Sequence, residues 1–220
     1  MPEWWTYTLA DFLMFSPRVY WRLIERYNSA LWPAQVAVVL AGLAIVPLVR
    51  TPGPRQARVI AGVLATAWAA AGWGFLWTRY ASINWAARWF AGLFAVEALL
   101  LAWCGARGRL AFPAAGRRAA GLGLYLAAVA LYPLISIVEG RGWAGSEILG
   151  LFPDPTAAGT IGLLLLVEDA TVRRALLLGP LLWCLIGGLT LLALGASHAW
   201  VPGVAALAAV AGLARRSTAR

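Results

Sequence analysis

The chain has no lysine, one histidine, two cysteines and only nine acidic residues in 220 positions. Each shortage removes a class of chemistry. Without lysine there is no retinal Schiff base, although an outward N-terminus and seven spans would match the outline of a rhodopsin, and no GxxxxGK loop to cradle phosphate. A lone His198 excludes bis-histidine haem and the usual multi-histidine metal sites. Ser136 or Ser197 paired with His198 lacks a nucleophile motif, so an enzyme is not expected, and His198 itself reads as a solvated or interfacial residue at a turn. Cys104 and Cys184 fall at the end of one apolar run and the middle of another, which argues against a disulfide and offers no metal motif. Cofactors and metals are therefore expected to be none. Glu3 and Asp11 stand where the basic region of a cleaved signal peptide would be.

What is present points to lipid. The chain is 62% apolar and 12% charged, with mean hydropathy +0.75, whereas about a quarter of a soluble domain is charged. The expected fold class is all-α: a polytopic transmembrane bundle. The net charge of +9 comes from arginines placed in short caps between apolar runs. That placement fits topology and lipid headgroups rather than nucleic acid.

Continuous hydrophobicity marks seven runs, near 33–49, 56–77, 84–104, 119–138, 155–167, 174–195 and 198–214. If all seven cross, twelve of the eighteen arginines share one side, which the positive-inside tendency makes cytoplasmic. If 155–167 does not cross, the division becomes seven inside and eleven outside. The expectation is N-terminus out and C-terminus in, with an outer segment 1–32, a bundle 33–214 and a basic tail 215–220.

Within the outer segment, "SPRVYWRLIERYNSALWP" reads as a helix opened by Ser16 and Pro17. Arg18, Arg22, Glu25, Arg26 and Ser29 form one stripe, and Tyr20, Leu23, Ile24, Tyr27 and Leu31 the other. Such a helix lies in the interface or folds over the mouth of the bundle as a lid. At the opposite extreme, 155–167 is short for a ~30 Å hydrocarbon core. Asp154 is placed as its N-cap and Pro155 at its first helical position. Thr156 and Thr160 put hydroxyls on the same face.

Thirteen tryptophans exceed what a symmetric interfacial belt needs, because most fall toward the outer half. "TRYASINWAARWF" sets Trp85, Arg88 and Trp89 on one helical face, where arginine can stack or bind an anionic group. "SIVEGRGWAGSEILGLFPDP" supplies Glu139, Arg141, Trp143, Glu147 and Asp154. These acids facing Arg79 and Arg88 form either an ion-pair lock on the outer cap or a binding site. Glu97 lies mid-way along its apolar run, where a charge is costly. It is either a neutral, hydrogen-bonded carboxyl or a proton-coupling site.

The stretches "FSPRVYWRLIERYNSALWP", "INWAARWF" and "GLFPDPTAAGTIGLLLL" resemble a bacterial family of integral membrane proteins defined only as a domain of unknown function. The resemblance implies a multi-pass protein of the bacterial cytoplasmic membrane and carries no catalytic residues. The tryptophan content is also similar to that of the tryptophan-rich sensory, or translocator, proteins, but their full pattern is absent and their five spans differ from seven. Two functions follow as expectations. One is a small transporter or permease for a polar or cationic ligand, with Glu97 as coupling carboxylate and the outer residues, Thr156 among them, around the ligand. The other is a sensor or accessory subunit that docks a second copy or another membrane protein through its outer cap.

Overall fold

The computed structural model describes residues 11, 13–51, 53–112 and 119–217, with side chains as far as 213. Glu3, Trp4, Trp5, Arg117, Arg118, Arg220 and the side chains of Arg215 and Arg216 lie outside the described residues, so part of the arginine count does too.

The described residues are helical throughout, in the order α1 (Pro17–Leu31), α2 (Ala34–Arg50), α3 (Pro54–Ala70), α4 (Ala87–Ala106), α5 (Ala119–Leu126), α6 (Ile135–Val138), α7 (Pro153–Leu164), α8 (Ala170–Ala193) and α9 (Val201–Ser217). A π-helical turn, Ala71–Trp77, prolongs α3. A second, Ala127–Leu131, followed by a 3-10 turn, carries α5 into α6. Each of the seven apolar runs is helical, but they differ in reach. Four stretches are long and apolar enough to cross a membrane: Pro54–Ser82, Ala87–Ala106, Ala119–Val138 and Ala170–Ala193. The α1–α2 pair, bent by 89°, makes a fifth if it is taken as one broken span. α7 has 12 residues and the apolar part of α9 is Val201–Leu213, both shorter.

α1 follows its sequence pattern. Tyr20, Ile24 and Tyr27 of the apolar stripe are buried, while Arg18, Arg22, Arg26 and Ser29 are exposed. The helix lies over one end of the bundle, against the 143–145 turn. Asn28 fixes it there by donating from Nδ2 to the Ala144 and Ser146 carbonyls at 2.8 and 2.7 Å.

α7 is the centre of the fold. All twelve of its residues are buried, the polar ones Asp154, Thr156 and Thr160 included. Its neighbours are α5, α8, α9 and the π-helical turn after α3. Close approach to α5 depends on paired glycines: a Cβ on Gly121 would lie 2.6 Å from the Gly162 carbonyl oxygen, and one on Gly162 would lie 2.6 Å from the Tyr125 nitrogen. Small residues also bring α3 and α4 together, where a Cβ on Gly105 would meet that of Ala61. α8 begins with a side-chain cap, Asp169 accepting from the amides of Thr171 and Val172 at 2.8 and 3.2 Å.

Asp154 is not the cap of α7. The helix begins two residues earlier than expected, at Pro153, after Phe152, and has no side-chain cap. Prolines at 153 and 155 carry no N–H, so the first turn has few orphan amides to satisfy. That leaves the Asp154 carboxylate available for a partner on another helix.

Candidate functional site

The end of the bundle beneath α1 collects most of the buried charge. The loop after α6 turns through Gly140 and Gly142, both at positive φ (77° and 66°), a conformation that favours glycine. The turn brings Arg141 back onto Glu139. Its Nε and Nη2 donate to Oε2 at 3.1 and 2.6 Å, and Nη1 donates to the Gly145 carbonyl at 3.0 Å. From the α8–α9 turn, the Ser197 hydroxyl donates to the other carboxylate oxygen, and His198 Nδ1 lies 2.7 Å from it. The Arg141 guanidinium in turn stacks 4.1 Å above the ring of Trp21 on α1. Glu139 thus clasps three separate segments. Partial burial raises its pKa, but the bonds from Ser197, Arg141 and His198 outweigh that and bring it down to about 2.

His198 is 3% exposed, so it is neither solvated nor interfacial as its place at a turn predicts. An ionised carboxylate only accepts, so the His198 nitrogen facing Glu139 carries a hydrogen. The opposite nitrogen, Nε2, has no hydrogen-bond partner and lies 4.0 Å from Oε1 of Glu147. Glu147 is itself buried, and the pKa of its carboxyl is raised, first by burial and then by the nearby charge of Asp154.

Asp154 sits deeper, on the first turn of α7. Its Oδ1 accepts the indole N–H of Trp183 on α8 at 2.6 Å. Helix α8 can approach because Gly187 faces this carboxylate, where a Cβ would lie 2.4 Å from Oδ1. A cavity of about 10 Å³ adjoins Asp154, walled by Tyr20, Phe75, Tyr80 and Trp183 among others, which is room for about one water. Tyr20 and Tyr132 stand close enough to Glu147 and Asp154 to feel both charges.

Glu97 is separate from this group. It is buried between α4 and α8, where a Cβ on Gly179 would lie 2.5 Å from its Oε2, and its Oε1 has no hydrogen-bond partner. Gly179, Trp183 and Gly187 follow one another at i, i+4 and i+8 along α8. One face of that helix therefore passes Glu97 and then Asp154.

The remaining sequence candidates are dispersed. Trp85, Arg88 and Trp89 are exposed, and Arg88 lies over the ring of Trp77 at 5.7 Å. Arg79 lies over Tyr27 at 5.8 Å. The ion pairs recorded among the described residues join Glu139 to Arg141 and His198, and His198 to Glu147. These pairs stay within the 139–147 loop or reach His198, and none recorded among the described residues joins the acids to Arg79 or Arg88. Trp143 is exposed and lines a different, apolar cleft of about 640 Å³ with Trp32, Gln35 and Ile148. Thr156 and Thr160 are spent within the fold. Thr156 Oγ1 accepts from the Gly150 amide and donates to the Phe152 carbonyl, and Thr160 Oγ1 accepts from Trp68 and donates to the Thr156 carbonyl.

Sequence reasoning missed His198, Trp183, Tyr20 and Tyr132 as members of the site. For Trp183 a signal was present, a large ring between two glycines on one helical face, which marks a side chain let in between close helices.

No curated protein and no solved structure matches the chain. A family model does match, over residues 17–220, and the chain belongs to that family, the family of unknown function DUF6064.

Proposed function

We propose that the protein is a small membrane permease for a cationic or small polar ligand, with protons exchanged at Glu147, His198 and Asp154. The apolar helices are compatible with a membrane protein. The observation that carries the further step is His198. Its Nδ1 is committed to Glu139 while its Nε2 faces Glu147 across 4.0 Å without a partner. Such a pair can pass a proton when the gap closes or a water enters it. A cation arriving at Asp154 would favour the charged form of Glu147, whose proton would leave through His198 Nε2. Glu97, further along the same face of α8, is the carboxylate that would take part next. In this reading seven segments cross the cytoplasmic membrane of a bacterium, the N-terminus is outside, and α1 is the outer lid.

Proton movement in sealed proteoliposomes with an internal pH dye tests the reading. Imposed gradients of small cations should drive counter-movement of protons, reduced at least tenfold by Glu147→Gln or Glu97→Gln. No cation-dependent proton movement, together with a stable co-purifying membrane protein, would favour an accessory subunit. The exposed Trp85, Trp89 and Trp143 support that second reading as a docking surface.

A further inference from the structure

The cavity beside Asp154 has a composition that narrows the ligand further than charge alone. It is lined by Tyr20, Phe75, Tyr80 and Trp183, with Leu76, Leu191, Gly187 and Thr190 completing it, and Asp154 is the one charged group that lines it among the described residues. Tyr80 is 3% exposed and its hydroxyl has no hydrogen-bond partner. The Thr190 hydroxyl donates to the Ile186 carbonyl at 2.8 Å, which leaves its lone pairs able to accept from an N–H.

Aromatic faces around a single carboxylate attract a cation through ring quadrupoles and charge together. They suit some cations and not others. Sodium and the divalent ions require a shell of oxygen ligands, and this cavity offers little oxygen beyond one carboxylate and the tyrosine hydroxyls. An N–H-bearing cation needs fewer, since each N–H can point at a ring face or at one acceptor. Size then decides among ammonium compounds. About 10 Å³ holds a particle the size of water, which ammonium is and tetramethylammonium is not.

We infer that the Asp154 cavity is a binding site for ammonium, the fit falling away already at methylammonium. The inference rests on the permease reading for its biological sense, but not for its test. Tyr20 is the part of its wall that belongs to α1.

The test is thermal unfolding of the full-length protein in detergent at neutral pH, with chloride salts compared at equal ionic strength. Ammonium chloride should raise the transition temperature in a saturable, concentration-dependent way. Methylammonium should do so less, and sodium and tetramethylammonium should give only the common salt response. Asp154→Asn, which keeps an acceptor for Trp183 at the same place, should abolish the ammonium-specific part. Tyr80→Phe, which keeps the ring and removes the unpaired hydroxyl, should retain most of it. An equal response to all four cations, or an ammonium response unchanged in Asp154→Asn, overturns the inference. Ammonium binding without cation-dependent proton movement would refute the permease and leave the site standing. Proton movement driven by another cation, with no ammonium-specific stabilisation, would do the reverse.

Discussion

Trp183 and Asp154 are joined across the α7–α8 contact by an indole N–H donated to a carboxylate at 2.6 Å, both side chains being buried. The bond explains why the carboxylate of Asp154 serves a neighbouring helix and not its own helix end. It also separates two substitutions. Asp154→Ala leaves the indole N–H buried and unpaired, which costs about 1–3 kcal/mol. Asp154→Asn keeps an acceptor oxygen in place and should retain near-native stability. Thermal denaturation of both variants in one detergent checks this, and equal losses would mean that the bond is not what holds the pair.

Glu139 gives the fold an acid limit. Its folded pKa, brought to about 2, lies below the ~4.3 of an unfolded glutamate. The stabilisation is therefore complete above about pH 4.3 and is lost as pH falls toward the folded value. Glu139→Gln should flatten the stability profile over that window and lower stability by a constant amount above it. Transition temperatures taken at closely spaced pH values measure it.

Glu147 acts in the opposite sense. Burial and the charge of Asp154 raise its folded pKa above the ordinary carboxylate value. The folded state thus holds a proton that the unfolded state has released, and this group's contribution declines as pH rises above about 4.3. Glu147→Gln should be more stable than the parent at alkaline pH and similar to it at acid pH. A variant that tracks the parent across the whole range would contradict the burial of this carboxyl.

Glycines at helix contacts make a further comparison. A methyl group on Gly162 would lie 2.6 Å from the Tyr125 backbone nitrogen, whereas one on Gly92 has nothing within 4 Å. Backbone cannot move aside as a side chain can, so Gly162→Ala should cost about 1–3 kcal/mol through overpacking. Gly92→Ala should be neutral or slightly stabilising, since alanine favours a helix. Unfolding of the two variants side by side decides it.

The sidedness argued from arginine is open to direct measurement. A reporter active only in the periplasm should work at the N-terminus, and one active only in the cytoplasm should work at the C-terminus. Both termini on one side would remove the arrangement of seven crossings.

How much of this was legible in the sequence depended on how local the cause was. The stripe Tyr20, Ile24 and Tyr27 is set by helical spacing, and it is the buried face of α1. The apolar runs are helices because nothing polar interrupts them, and their ends agree to within a few residues. His198 could not be placed the same way. Its burial requires α1 above it and the loop after α6 beside it, neither of which is near it in sequence. The Asp154 cap failed for a reason that the letters did contain, since Pro153 is as well suited to a first helical position as Pro155 and starts the helix earlier. Glu139 and Arg141 were placed in the right loop, but their partner on the far side of the bundle depends on the turn that follows α8.

The enclosure of α7 also bears on how the chain is made. When Leu164 has just been synthesised, α8 and α9, which cover much of α7, do not yet exist. The helix has no side of its own suited to stand alone, with Asp154, Thr156 and Thr160 all turned toward partners. Its partner for Asp154, Trp183, arrives nineteen residues after Leu164. A chain cut short before α8 would thus leave α7 seated on α5 with one side bare and Asp154 without its indole partner.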